Sequence, residues 1–116
     1  MGVHPHDALI RLSIVELRKQ GATIIHADHI ASYLQPAKVG GSIPDIAATI
    51  NGTAVLVEAE SAEGLAASHT KAQLIGFHQK LRPVGGQLVL AVNQVDSFSA
   101  RQLIAGLSSN IILWTF

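Results

Sequence analysis

Apolar residues recur three and four positions apart through residues 6–20 (HDALIRLSIVELRKQ), which predicts a helix capped by Asp7 and closed at Gly21. The period then changes. Residues 22–30 (ATIIHADHI) read as a strand, and 35–43 (QPAKVGGSI), with its Pro and glycine pair, as a loop. DIAATI and TAVLVEA flank Asn51-Gly52, a dipeptide suited to the two positive-φ positions of a tight hairpin, so they form strands two and three. Residues 65–82 (LAASHTKAQLIGFHQKLR) have the length and spacing of a second helix, ended by Pro83 and the Gly85-Gly86 pair. QLVLAV is the short apolar run of a buried strand, 97–107 a third helix capped by Ser97 or Ser99, and NIILWTF a last strand. The order is α-β-β-β-α-β-α-β. A hairpin within such a series predicts the α/β class, with a mixed central sheet and flanking helices.

At 116 residues, the chain suits a single domain over 1–116, with a core at 6–92 and a C-terminal helix and strand at 97–116. Its 48% hydrophobic content against 14% charged residues excludes intrinsic disorder. No run approaches the roughly 18 apolar residues of a membrane span, and the start MGVHPHDA lacks the basic-then-apolar order of a signal peptide. The expectation is a cytoplasmic protein with no membrane partner. Cysteine is absent, so any metal would be held by His, Asp or Glu. Eight basic residues balance eight acidic ones, which implies no long-range field for nucleic acid and leaves such a role to a local site.

The hairpin supplies one. With Asn51-Gly52 as its loop, Ile50 faces Thr53 and Asp45 faces Glu58. Alternation puts Asp45, Ala47 and Thr49 on one face with Ala54, Leu56, Glu58 and, a step further, Glu60. Three carboxylates converge at one end of that face. Like charges opposite one another destabilise a sheet, and a divalent cation would relieve them. Hard oxygen donors without thiolates point to Mg²⁺, Mn²⁺ or Ca²⁺.

These residues resemble the PD-(D/E)XK nuclease superfamily, the restriction-endonuclease-like fold that includes Holliday-junction resolvases. The resemblance rests on Gly40-Gly41-Ser42-Ile43-Pro44-Asp45, the hairpin, Val57-Glu58-Ala59-Glu60, and a following helix with His69-Thr70 and Gln73-Leu74. It rests also on element order, since the family core is α-β-β-β-α-β and residues 6–92 repeat it. The resemblance implies a Mg²⁺- or Mn²⁺-dependent endonuclease acting on DNA. Asp45 and Glu58 would bind the ion that activates water and stabilises the phosphodiester transition state. The third motif position, usually Lys, is Glu60, implying a further ligand, a general base, or a module that has lost turnover and only binds DNA or a protein partner.

On helix one, Arg11 and Arg18 mark a solvent face and Glu16 lies about 140 to 160° away, near Leu9 and Leu12. The family often carries a Glu on this helix beside the metal, so Glu16 is a fourth candidate ligand. On the second helix His69, Gln73 and Lys80 share a flank next to the apolar arc of Ala66, Thr70, Leu74, Phe77 and Leu81. The family commonly uses Gln or Lys from this helix near the scissile phosphate, and Gln73 is the first candidate here, ahead of His69 and Lys71. A histidine site is disfavoured, because His26 and His29 would face opposite ways on a strand and His4 and His6 fall at a loose terminus. Gly40-Gly41 lacks the Lys-Ser/Thr of a phosphate loop and reads as backbone freedom before strand two or close approach to a ligand backbone. Trp114 and Phe116 belong to core or to a subunit interface. A chain this small offers little surface to DNA, so a homodimer is expected.

Overall fold

Five strands form one sheet in the order β1-β2-β3-β4-β5, and a computed structural model describes residues 5–107 and 110–116. The strands are β1 (Ala22–Ala27), β2 (Ile46–Ile50), β3 (Thr53–Ala59), β4 (Gln87–Val92) and β5 (Ile112–Thr115). The helices are α1 (Pro5–Lys19), α2 (Ala62–Ala66), α3 (Ser68–Leu81) and α4 (Ser97–Ala105). β2 is antiparallel to both neighbours, whereas β3, β4 and β5 run parallel. Strands β1, β3, β4 and β5 therefore end at one edge of the sheet, and β2 begins there.

The sheet buries both faces. Leu9, Ile10, Ile14 and Leu17 of α1 pack with Ile46, Ala48, Val55 and Val57 on one side. Leu74, Phe77 and Leu81 of α3 and Ala100 of α4 pack with Leu56, Leu88 and Leu90 on the other. Two apolar layers follow from the alternation of β3, whose odd positions serve α1 and even positions α3. Trp114 and Phe116, edge-to-face with centroids 6.5 Å apart, pack against the α1 layer. Among the described residues no helix is long and apolar enough to cross a membrane.

The hairpin has the expected register, from Ile50 opposite Thr53 to Ile46 opposite Val57. Asn51 (φ 49°) and Gly52 (φ 78°) are both left-handed, the pairing whose twist suits a two-residue loop. The loop before β2 turns at Gly40 and Gly41, φ 60° and 88°, closing the bridge between Val39 and Ser42.

Several boundaries differ from expectation. α1 begins at Pro5, a residue preorganised for a first turn, so Asp7 sits within that turn rather than capping it. Its buried arc omits Leu12, which is 43% exposed, and runs instead through Leu9, Ile10, Ser13, Ile14 and Leu17. β1 stops at Ala27, because His29 and Ser32 take positive φ and the chain folds back so that Ala27 N–H donates to Leu34 O. The single helix expected at 65–82 is two, parted at the extended Ala67. Ser61 starts the first of them by accepting the Gly64 N–H, which lets a five-residue helix form before α3. At α4 neither Ser97 nor Ser99 caps. Asp96 holds that position without a side-chain hydrogen bond, and Ser97 is already helical.

Candidate functional site

The β2–β3 ladder ends at Ile46 and Val57, and beyond it side chains replace backbone pairing. Asp45 N–H donates to Glu58 Oε1 (2.9 Å), and Ala59 N–H donates to Asp45 Oδ2 (2.8 Å). The two acids thus face each other across the hairpin end, as the turn arithmetic predicts. Both are buried, Asp45 at 9% and Glu58 at 3% exposure. Glu60 follows the last residue of β3, held by its N–H on Ala91 O. Its carboxylate lies over the first turn of α2, where a methyl at Gly64 would come within 1.8 Å of Glu60 Oε2. Only glycine leaves that space.

Two further groups reach this rim that the sequence reading did not place there. His6, in the first turn of α1, brings Nε2 to 3.2 Å from Asp45 Oδ2. Its phase was the available signal: at 100° per residue His6 falls inside the arc of Leu9, Ile10, Ser13, Ile14 and Leu17. Asp28, just past β1, donates its N–H to Asp45 O. Asp28 Oδ1 is buried without a hydrogen bond, since His29 Nε2 stands 3.5 Å off and does not complete one.

The charges strain against each other. Burial raises the Glu58 carboxyl far above the carboxylate range, and the negative charges of Asp45, Glu60 and Asp28 raise it further against the opposing Asp45 N–H. Burial and Asp45 lift Glu60 to about 7, with His6 pulling the other way. The hydrogen bond to Asp45 raises His6 to about 8 despite its partial burial. At neutral pH the cluster therefore relieves its negative charge with protons on Glu58 and His6 and, in part, on Glu60.

The other candidates lie elsewhere. Glu16 accepts from Gln20 Nε2 (3.0 Å) and lines a hollow with Leu113 to Phe116. It is ten residues along α1 from His6, roughly 15 Å at 1.5 Å per residue, so the helix brings His6 to the carboxylates in its place. Gln73 is half-buried on the flank of α3, whereas His69 and Lys71 are exposed in its first turn; no hydrogen bond joins any of the three to Asp45, Glu58 or Glu60. Thr70, beside them, is buried with its hydroxyl unpartnered. Of the histidines, His26 is in β1 and His29 beyond its end, and His4 lies outside the described residues.

Net neutrality conceals a separation. Asp7, Asp28, Asp45, Glu58, Glu60, Glu63 and Asp96 all sit at or just beyond the edge where β1, β3 and β4 end, leaving Glu16 as the remaining acid. Arg18, Lys19, Lys80 and Arg82, half of the eight bases, close α1 and α3 at the opposite edge, whereas Lys71 opens α3 on the acidic side.

A hard divalent ion suits the donor chemistry. Asp45 Oδ1, Glu58 Oε2 and the Glu60 carboxylate have no hydrogen-bond donor among the described residues, and the buried orphan Asp28 Oδ1 lacks a partner that a cation or its water would supply. Among the described residues, however, no three His, Asp or Glu side chains already converge on one point. Asp45 and Glu58 are held together by their crossed hydrogen bonds, and Glu60 does not complete a set of three with them. Comparison with known proteins matches no family model, and neither curated proteins nor solved structures return a match.

Proposed function

We propose that the protein is a divalent-metal-dependent DNA endonuclease of the PD-(D/E)XK type, acting on phosphodiester bonds as a homodimer. The observation that carries this reading is the crossed Asp45–Glu58 pair at the carboxyl edge of a mixed sheet. Its α-β-β-β-α-β succession, apart from the extra turn of α2, follows the order of that superfamily. Ligands of open α/β sheets gather at carboxyl edges, and this edge concentrates the chemistry.

In this reading Asp45 and Glu58 would hold Mg²⁺ or Mn²⁺, and the ion would supply charge stabilisation to the phosphodiester and acidify a water. Glu60, with a pKa of about 7, is matched to accepting a proton near neutrality. His6 orients Asp45 through Nε2 and is the cation that offsets the cluster. Gln73 lies on the helix that would flank the phosphate. The test is cleavage of duplex, single-stranded and four-way-junction DNA with Mg²⁺ or Mn²⁺. Metal-dependent cleavage that Asp45→Asn abolishes supports the proposal; none by the folded wild type removes it.

A second reading has its own observation. The lack of three converging ligands among the described residues fits a catalytically weak module that binds DNA or a protein partner, and the concentration of acids at this edge favours the protein partner. DNA binding that weakens steeply with salt but brings no cleavage favours it.

A further inference from the structure

Two hollows of about 380 and 360 Å³ adjoin at the amino edge of the sheet, remote from the carboxylates. They share His78, Arg82 and Asn110 as a common wall. Leu74 and Ile111 floor one, and Leu88 and Gln87 line the other. No Asp or Glu lines either, although the chain has as many acids as bases. The Arg82 guanidinium has neither ion pair nor hydrogen bond among the described residues.

A helix C-terminus ordinarily repels anions through its free carbonyls. Here three of the carbonyls around that end are engaged. His78 O accepts from Arg82 N–H, Leu81 O from Gly86 N–H, and Arg82 O from Gly85 N–H. What faces the hollows is thus the unpaired Arg82 guanidinium above an apolar floor, with the already partnered His78 and Asn110 in the shared wall. That combination holds an anionic head with donors and an apolar body by burial.

We propose that this groove binds a small organic anion, a phosphate or carboxylate head carrying an apolar or ring body, with Arg82 as its charge partner. The site is independent of the carboxylate rim and of any nuclease activity. The volumes fall within the range of small-molecule sites, and the seven acids at the far edge leave the anion free of repulsion from close carboxylates.

The test is titration calorimetry on the whole chain in EDTA, with adenosine 5′-monophosphate, octanoate and inorganic phosphate as probes. Expected is saturable one-to-one binding of at least one organic anion. Inorganic phosphate should bind at least tenfold more weakly, because it cannot use Leu74 and Ile111. Which organic probe binds distinguishes a nucleotide-like from a fatty-acid-like ligand. Arg82→Gln, an exposed substitution that spares the core, should cost tenfold or more in affinity. Lys80→Gln removes the same charge outside both hollows and should leave binding unchanged. Failure of both organic anions to saturate overturns the proposal. So does phosphate binding as tightly as they do, unchanged affinity in Arg82→Gln, or an equal loss in Lys80→Gln.

Discussion

His6 Nε2 lies 3.2 Å from Asp45 Oδ2, a contact spanning 39 residues of chain. It joins the first turn of α1 to the residue that opens β2, and it places an imidazolium among buried carboxylates.

His6→Gln should destabilise the protein in a pH-dependent way. The folded value of about 8 stands above the ordinary 6.5, so the contribution is complete below pH 6.5 and disappears as pH rises through 8. The side chain is 35% exposed, and after allowing for solvent screening the contact is worth about 1 kcal/mol. Melting curves should separate wild type from variant at pH 6 and coincide near pH 9.5. A constant gap across that range would contradict the assignment.

Glu58→Gln should do the reverse. The unfolded chain ionises this group near 4.5 and the folded chain retains its proton to much higher pH, so stability falls as pH rises through that interval. The amide copies the protonated form and can still accept the Asp45 N–H. At pH 8 the variant should melt higher than wild type, on the order of 5 °C, with little difference at pH 4.5. A lower melting point at pH 8 would show that Glu58 is held ionised.

Mn²⁺ should raise the melting temperature of the wild type more at pH 9 than at pH 6, because ligation displaces the protons that fill the site. Asp45→Asn and Glu58→Gln should remove the response. An equal shift in wild type and the double variant places the ion elsewhere.

Gly64→Ala separates the position of Glu60 from its charge. The methyl would occupy the space of Glu60 Oε2, and alanine suits a helix better than glycine. The fold should persist with Glu60 turned aside, and metal-dependent cleavage should fall about tenfold or more, the scale of losing part of a positioned acid-base group. Activity at the wild-type level would show that the Glu60 pose is immaterial.

Glu60→Gln should cost about a hundredfold in cleavage, the scale of removing an acid-base group. Glu60→Lys is the sharper comparison. Loss of activity marks a site adapted to carboxylates; a gain marks a degenerate nuclease and favours the binding-module reading.

The hairpin and its two facing acids were legible because Asn51-Gly52 dictates both loop conformations, and register then follows by counting. The helices on either side were legible from their spacing, but the break at Ala67 was not. Apolar and small residues continue through 65–68, and only the Ser61 cap signals that a separate short helix comes first. His6 escaped notice because nearness to a terminus outweighed its phase on α1. Asp28 was hidden by reading β1 through to residue 30, where the left-handed His29 bends the chain back. Charge separation was invisible to a net count, since summation discards the edge at which each charge lies.

The Asn51-Gly52 turn and the acids occupy opposite ends of the hairpin, five residue pairs apart, roughly 17 Å at strand rise. A residue inserted at the turn touches no acid. Yet it would slide β2 by one place, present Asp45 or its neighbour to the wrong face, and unmake the site from a distance. The loop is therefore the ruler of the chemistry, and its length is as much a property of the site as the carboxylates are.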